Sequence, residues 1–289
     1  MGQCFSGRWN SQINFYYLRR FRYMIAARDI QPLELILWEE PAVVGPYSKS
    51  GSGCLQCLKR VNGSYTCSGC QFPMCNKDCE ASTLHNDECL FFQEKDLKLQ
   101  RRFSELENGT TNGKSSPSTP RLSNAGSGLA SSPLWITPLR MLLKKKSDPK
   151  MFDRIAMLRD HTSPKEIVSN NNNDLRTVSL QVLNVVLLLQ EACAGVEEFS
   201  QQEIQRMIGI LKTNGMKLEP HGVEKGVPGV ALYPIYCLLN HSCYSNTNYV
   251  KFPDYHLELR SQVPIKRGEQ IFTRYISATI GNMKKFRCI

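Results

Sequence analysis

Eight side chains of the types that bind soft divalent metals fall within residues 54–89: Cys54, Cys57, Cys67, Cys70, Cys75, Cys79, His85 and Cys89. Their spacing reads C-x2-C, C-x2-C, C-x3-C and H-x3-C. A tetrahedral zinc ion takes four thiolate or imidazole ligands, so this set predicts two ions. The C-x2-C pairs suit tight knuckle turns. Cys75/Cys79 and His85/Cys89 have the i,i+4 spacing that puts both members on one face of a helix. A disulfide framework is the competing use of so many cysteines. It needs an oxidising compartment, and no secretory leader pattern opens the sequence. The cysteine usage points instead to a reducing compartment, cytoplasm or nucleus.

The elements around this window must position it. At 289 residues the sequence has room for one medium domain and a small one. Residues 30–44 read as a turn and then a strand: Pro32 suits the turn, Leu35 and Leu37 alternate with polar or half-exposed neighbours, and Pro41 stops the run. Residues 107–132 are rich in Ser, Gly, Asn and Thr and scarcely apolar, which predicts a flexible loop. Ser147-Asp148-Pro149 is a helix start, and Phe152, Ile155 and Leu158 mark one face of that helix. Asp174 caps a second helix that ends near Gly195. Ser200 to Glu203 forms a capping box for a third, with Ile204, Met207, Ile208 and Leu211 inward and Asn214-Gly215 as the stop. Short β-like runs then alternate with turns at residues 230–233, 248–252, 256–259 and 269–273. The class is α+β.

The formal net charge is +10, from 36 basic and 26 acidic side chains. The basic residues are scattered, and the densest run, Lys144-Lys145-Lys146, is a solvated surface rather than a nucleic-acid footprint. The longest dense apolar stretch, residues 182–189, is too short to cross a bilayer. Met1-Gly2-Gln3-Cys4-Phe5-Ser6 fits the N-myristoylation pattern at only two positions beyond Met, so no membrane partner is expected.

A second constellation lies near the C-terminal end of the sequence. Asn240-His241-Ser242-Cys243 precedes Gly268-Glu269-Gln270-Ile271-Phe272-Thr273-Arg274-Tyr275 by about thirty residues. Asn-His-Ser is by itself ordinary turn chemistry, and a lone His is usually structural. Together the segments resemble the SET-domain signature, N-H-S-C followed by G-E-E-I-x-x-x-Y. With the metal window upstream, the arrangement resembles the SET-and-MYND methyltransferase family, and residues 25–46 look most like its arthropod branch.

The resemblance implies a split, pseudoknotted, β-rich SET core with an inserted cross-braced MYND finger. Its parts would be an atypical segment 1–19, the SET N-terminal part 20–50, the finger 51–92, a helical insert 93–218, the SET C-terminal core 219–278 and a tail 279–289. Cys54, Cys57, Cys75 and Cys79 would hold one zinc; Cys67, Cys70, His85 and Cys89 the other. S-adenosylmethionine would be the methyl donor and a lysine of a protein the acceptor. Asn240 and His241 would contact the donor, with Arg22 and Tyr23 beside it, and Tyr275 would line the transfer site. Phe272 is expected in the core by strand alternation. The finger would dock proline-rich peptides, with Tyr65 and Phe72 as candidate walls, and Phe72 better read as finger core. The sequence departs from the family in two places. Phe21-Arg22-Tyr23-Met24 stands where the family has G-x-G, so bulky groups occupy a position where the backbone meets the donor. Only Cys288 follows Cys243, so the family's third zinc module is not expected.

Overall fold

The computed structural model describes residues 13–18, 21–46, 53–94, 136–160, 199–218 and 226–275. The acylation pattern at residues 1–6, the loop 107–132, the helix expected from Asp174 and the tail lie outside the described residues. In chain order the described strands are β1 (Ile13–Leu18), β2 (Phe21–Ala26), β3 (Leu35–Glu39), β4 (Val43–Pro46), β5 (Met216–Leu218), β6 (Gly229–Leu232), β7 (Asn240–His241), β8 (Thr247–Lys251), β9 (Leu257–Ser261) and β10 (Gln270–Thr273). The helices are α1 (Lys77–Glu80), α2 (Asn86–Glu94), α3 (Ile136–Ser147), α4 (Pro149–Ala156) and α5 (Gln201–Asn214).

The chain divides into two compact units, with boundaries at Pro41/Ala42 and Leu232/Tyr233. Both boundaries fall inside the segments expected to form the SET core. The reason is local pairing: β4 and β5 flank β6 in one antiparallel sheet, so residues 43–46 and 229–232 share their hydrogen bonds with the insert-bearing unit.

Unit 1 joins segments from before and after the metal-type window. One sheet has the order β1-β2-β10-β7, the other β3-β9-β8. β10 lies between β2, antiparallel with Ile25 opposite Gln270, and β7, parallel with Phe272 opposite Asn240 and Thr273 opposite His241. Met24, Ile36, Leu257, Leu259 and Ile271 are buried here. Two sequence expectations shift. β3 does not simply alternate: Ile36 and Leu37 are both buried, Trp38 turns outward and Glu39 inward, because a register irregularity falls between Leu35 and Leu37. In β10 it is Ile271 and Thr273 that are buried, and Phe272 is half-buried rather than core.

Unit 2 carries the metal window, α3 to α5 and the β4-β6-β5 sheet. Asp148 caps α4, and Ser200 with Glu203 forms the full capping box of α5. Ile204, Met207, Ile208 and Ile210 are buried on α5. Gly215 ends α5 with extended backbone instead of a left-handed turn, and the chain runs straight into β5. The sequence reading missed α3. Its last turn is the Lys144 to Lys146 run, where cations suit the negative end of a helix, and Lys144 and Lys145 reach Asp87 and Glu203. β4 and α3 approach closely at Gly45, where a Cβ would sit 2.0 Å from Thr137 Oγ1.

Candidate functional site

The eight metal-type residues form two groups of four: Cys54, Cys57, Cys75 and Cys79, and Cys67, Cys70, His85 and Cys89. Within each group the ligand atoms lie within 4.8 Å of one another. These are the sets implied by the family resemblance. Zn–S bonds of about 2.3 Å give S···S edges of about 3.8 Å in a tetrahedron. The Cys57–Cys79 and Cys67–Cys89 sulfurs are 3.8 and 3.7 Å apart.

Each C-x2-C pair is built by the same turn. Leu58 N–H donates to Cys54 O, and Gln71 N–H to Cys67 O, at 2.9 and 2.8 Å. The residue after each pair, Leu58 or Gln71, takes a left-handed φ of 58° or 61°. Non-glycine residues adopt this reluctantly, so both knuckles hold strained backbone that a bound ion would retain. The helical expectation needs correction. Cys75 precedes α1, whose cap is Asn76, and His85 closes a 3-10 turn before α2. Each i,i+4 pair therefore straddles a helix start, because Asn76 and Asn86 begin new helices between the ligands.

The donor chemistry fits a divalent ion. His85 is 1% exposed and neither ring nitrogen has a hydrogen-bond partner. A buried imidazole without partners is costly, and coordination would satisfy one of its two nitrogens. With no cation between them, the four thiols of the first group oppose one another's ionisation. A bond from Cys57 holds Cys54 down to about 4, while burial pushes Cys79 up to about 11. A coordinated cation removes that conflict by deprotonating each thiol outright.

Two further groups brace the window. The Glu80 carboxylate accepts from Ser68 and Tyr65 hydroxyls and from Ser68 N–H, which holds it down to about 2. Tyr65 is thus tied to the metal-type window, and Phe72 packs against Phe92 with centroids 5.0 Å apart. Arg140 of α3, 3% exposed, is paired with Glu88 of α2, which is fully buried. Its guanidinium also donates to Val44 O and Leu55 O. Neither Glu88 nor Arg140 was singled out from sequence.

In unit 1 the structure brings Asn240, His241 and Tyr275 together at β7 and the end of β10. Tyr275 N–H donates to His241 Nδ1 at 3.0 Å, and their rings lie 5.3 Å apart. This bond fixes Nδ1 as the unprotonated nitrogen. Tyr275 Oη–H donates to Leu239 O. The residue is 57% exposed, yet burial pushes its hydroxyl up to about 12. Tyr23 is half-buried on β2, across β10 from β7. For Arg22 the structure gives its backbone place, opposite Tyr17 in the β1–β2 pair. The expected G-x-G position is thus a regular paired strand.

Other residues set this geometry, and the sequence reading did not find them. Asn246 Nδ2 donates to Gln270 O at 2.9 Å and its Oδ1 accepts from Phe272 N–H at 2.8 Å. Thr273 Oγ1 and Tyr236 Oη are hydrogen-bonded at 2.9 Å, and Ser242 N–H donates to Thr273 O at 3.0 Å. Glu39, 6% exposed, accepts from the N–H groups of Ile235 and Tyr236, both at 2.8 Å. These begin the 3-10 turn Tyr236–Leu238 that delivers Asn240.

Residues 21–276 match the SET domain. The histone-lysine N-methyltransferase ASHR1 of Arabidopsis thaliana is 24% identical over 88% of this chain and 47% of its own length. The SET domain-containing protein SmydA-8, isoform A, of Drosophila melanogaster is 23% identical over 91% of this chain and 50% of its own. The chain thus spans about half the length of these curated relatives. Among solved structures, the SET domain of LSMT bound to lysine and AdoHcy aligns with TM-score 0.46 and 15% identity, over 93% of this chain and 50% of that one. Rubisco LSMT bound to AdoMet aligns with TM-score 0.47 and 14% identity, over 93% of this chain and 49% of that one.

Proposed function

The chain belongs to the SET-domain family, and we propose that it is an S-adenosylmethionine-dependent protein-lysine N-methyltransferase with a two-zinc finger. The observation that carries this reading is the meeting of Asn240, His241 and Tyr275 across the parallel β7–β10 pair. Asn240 and His241 would hold the donor, with Tyr23 and Arg22 on the β2 side; the donor supplies an electrophilic sulfonium methyl group. Methyl transfer is an in-line displacement, so the protein's task is to position two reactants. Tyr275 keeps its proton at neutral pH, and its ring forms an aromatic wall beside His241. The nucleophile must be a neutral lysine amine, and partial desolvation against Tyr23 and Tyr275 would disfavour the ammonium. The substrate is a lysine-bearing protein, histone or otherwise. In the finger the two groups of four would each hold a structural zinc, in the reducing conditions of cytoplasm or nucleus.

The test is calorimetric titration of S-adenosylmethionine into the zinc-loaded chain. Saturable binding, abolished in His241→Ala, supports the reading. Absence of binding by the unaltered chain overturns it.

A second reading makes the finger an adapter for proline-rich segments, supported by Leu90, which stands 60% exposed on α2. Tyr65, whose hydroxyl donates to Glu80, and Phe72, which packs on Phe92, are both half-buried and stay candidates for the wall of such a groove. Capture of proline-rich peptides by the zinc-loaded chain, no better than by Cys57→Ser, would end this reading.

A further inference from the structure

We propose that Glu39 is a positioning residue for the methyl-donor site, acting through the 3-10 turn that carries Asn240 and His241. The inference rests on the donor-site reading above. Glu39 belongs to β3, ahead of the finger, and the turn it holds lies nearly two hundred residues further along the chain.

The connection is continuous and made of named bonds. The carboxylate divides its oxygens between two successive peptide N–H groups, Oε1 to Ile235 and Oε2 to Tyr236. Consecutive free N–H groups at a turn's start form a ready anion cradle, and a buried carboxylate is tolerated where such donors converge. Tyr236 O then accepts from Leu239 N–H at 3.1 Å, fixing the exit of the turn. Leu239 O is the acceptor for the Tyr275 hydroxyl. From its other end, Tyr236 reaches the hydroxyl of Thr273, and Thr273 is the β10 partner of His241. One carboxylate thus sets the height of Asn240 and His241 and the acceptor that orients Tyr275. Burial alone would be met by an apolar side chain at this strand position. A two-oxygen acceptor is what the two peptide donors require.

The experiment uses the zinc-loaded full chain as Glu39→Gln, which keeps the volume and one good acceptor. Leu259→Val, a buried change on β9, whose strand pairs with β3 and β8 rather than with the turn, serves as a control for general destabilisation. Two readouts are taken. Amide hydrogen exchange should quicken at residues 235–242 in Glu39→Gln and remain as in the unaltered chain at residues 24–26. Calorimetric donor affinity should fall at least about tenfold in Glu39→Gln and by less than about twofold in Leu259→Val at matched thermal stability. Equal loss in both variants makes Glu39 a merely structural residue and overturns the proposal. If the unaltered chain binds no donor, the methyltransferase reading fails; the exchange pattern still decides whether Glu39 orders the turn, and unchanged exchange at residues 235–242 overturns that role.

Discussion

Unit 2 draws its eight metal-type residues from residues 54–89, whereas unit 1 assembles its candidate site from β2, the turn before β7, and β10. The first arrangement is local and depends on strong ligands held by short turns. The second is non-local, and its geometry comes from side chains: Glu39 and Asn246, which bond backbone groups, and Thr273, whose hydroxyl bonds that of Tyr236. The difference teaches where each unit is vulnerable. A local metal site fails when the ion leaves. A non-local polar site fails by small displacements when one carboxylate or amide is replaced.

Metal removal probes this contrast most strongly. Structural zinc contributes on the order of 10 kcal/mol in small fingers. A chelator should therefore abolish amide protection across residues 54–92, and persistent protection there would mean that Phe72, Phe91 and Phe92 hold the finger without metal. Arg140→Met comes next, because it leaves Glu88 buried and unpaired inside unit 2. We expect a loss of about 3–5 kcal/mol in urea denaturation, largely recovered in the double variant Arg140→Met/Glu88→Leu. A single-variant loss below about 1 kcal/mol would show that the pair does not organise this unit. In unit 1, Asn246→Ala removes a donor to Gln270 O and an acceptor for Phe272 N–H. A cost of about 2–3 kcal/mol is expected, with faster exchange at Phe272 than at Ile25; no change in exchange would remove Asn246 from the account. The smallest effect concerns Leu33, 74% exposed with a φ of 65° in the turn before β3. Leu33→Gly should gain about 1 kcal/mol by relieving the left-handed backbone, and a lower melting temperature would refute it.

The two units were also unequally legible in the sequence. The Ser200 capping box and the Asp148 cap depend on neighbours a few residues apart, and the structure places them as the spacing implies; the metal-type residues fall into the two sets implied by the family resemblance, although each i,i+4 pair straddles a helix start. β8, β9 and β10 fell within a residue or two of their expected runs. What escaped depends on distant partners. Glu39 and Glu40 are adjacent acids before Pro41, and nothing local says that the first turns inward to cap a turn at Ile235. Arg140 lies in α3, which opens with Pro138 in its first turn and ends in three lysines; those were the readable signals for the missed helix. Phe272 is expected inward by strand alternation, but the register of β10 against β7 buries Thr273 instead.

The placement of β10 has a consequence for biosynthesis. Ile25 and Gln270 are partners, so β2 leaves the ribosome long before the strand that completes its sheet. At about 5–20 residues per second the delay is roughly ten to fifty seconds. Through that interval β2 can pair with β1 but keeps an open edge beside Met24, which the finished protein buries completely. Such an edge invites pairing with other nascent chains. Unit 1 is thus expected to mature after unit 2, and to be the part of the molecule that most needs a chaperone's protection during synthesis.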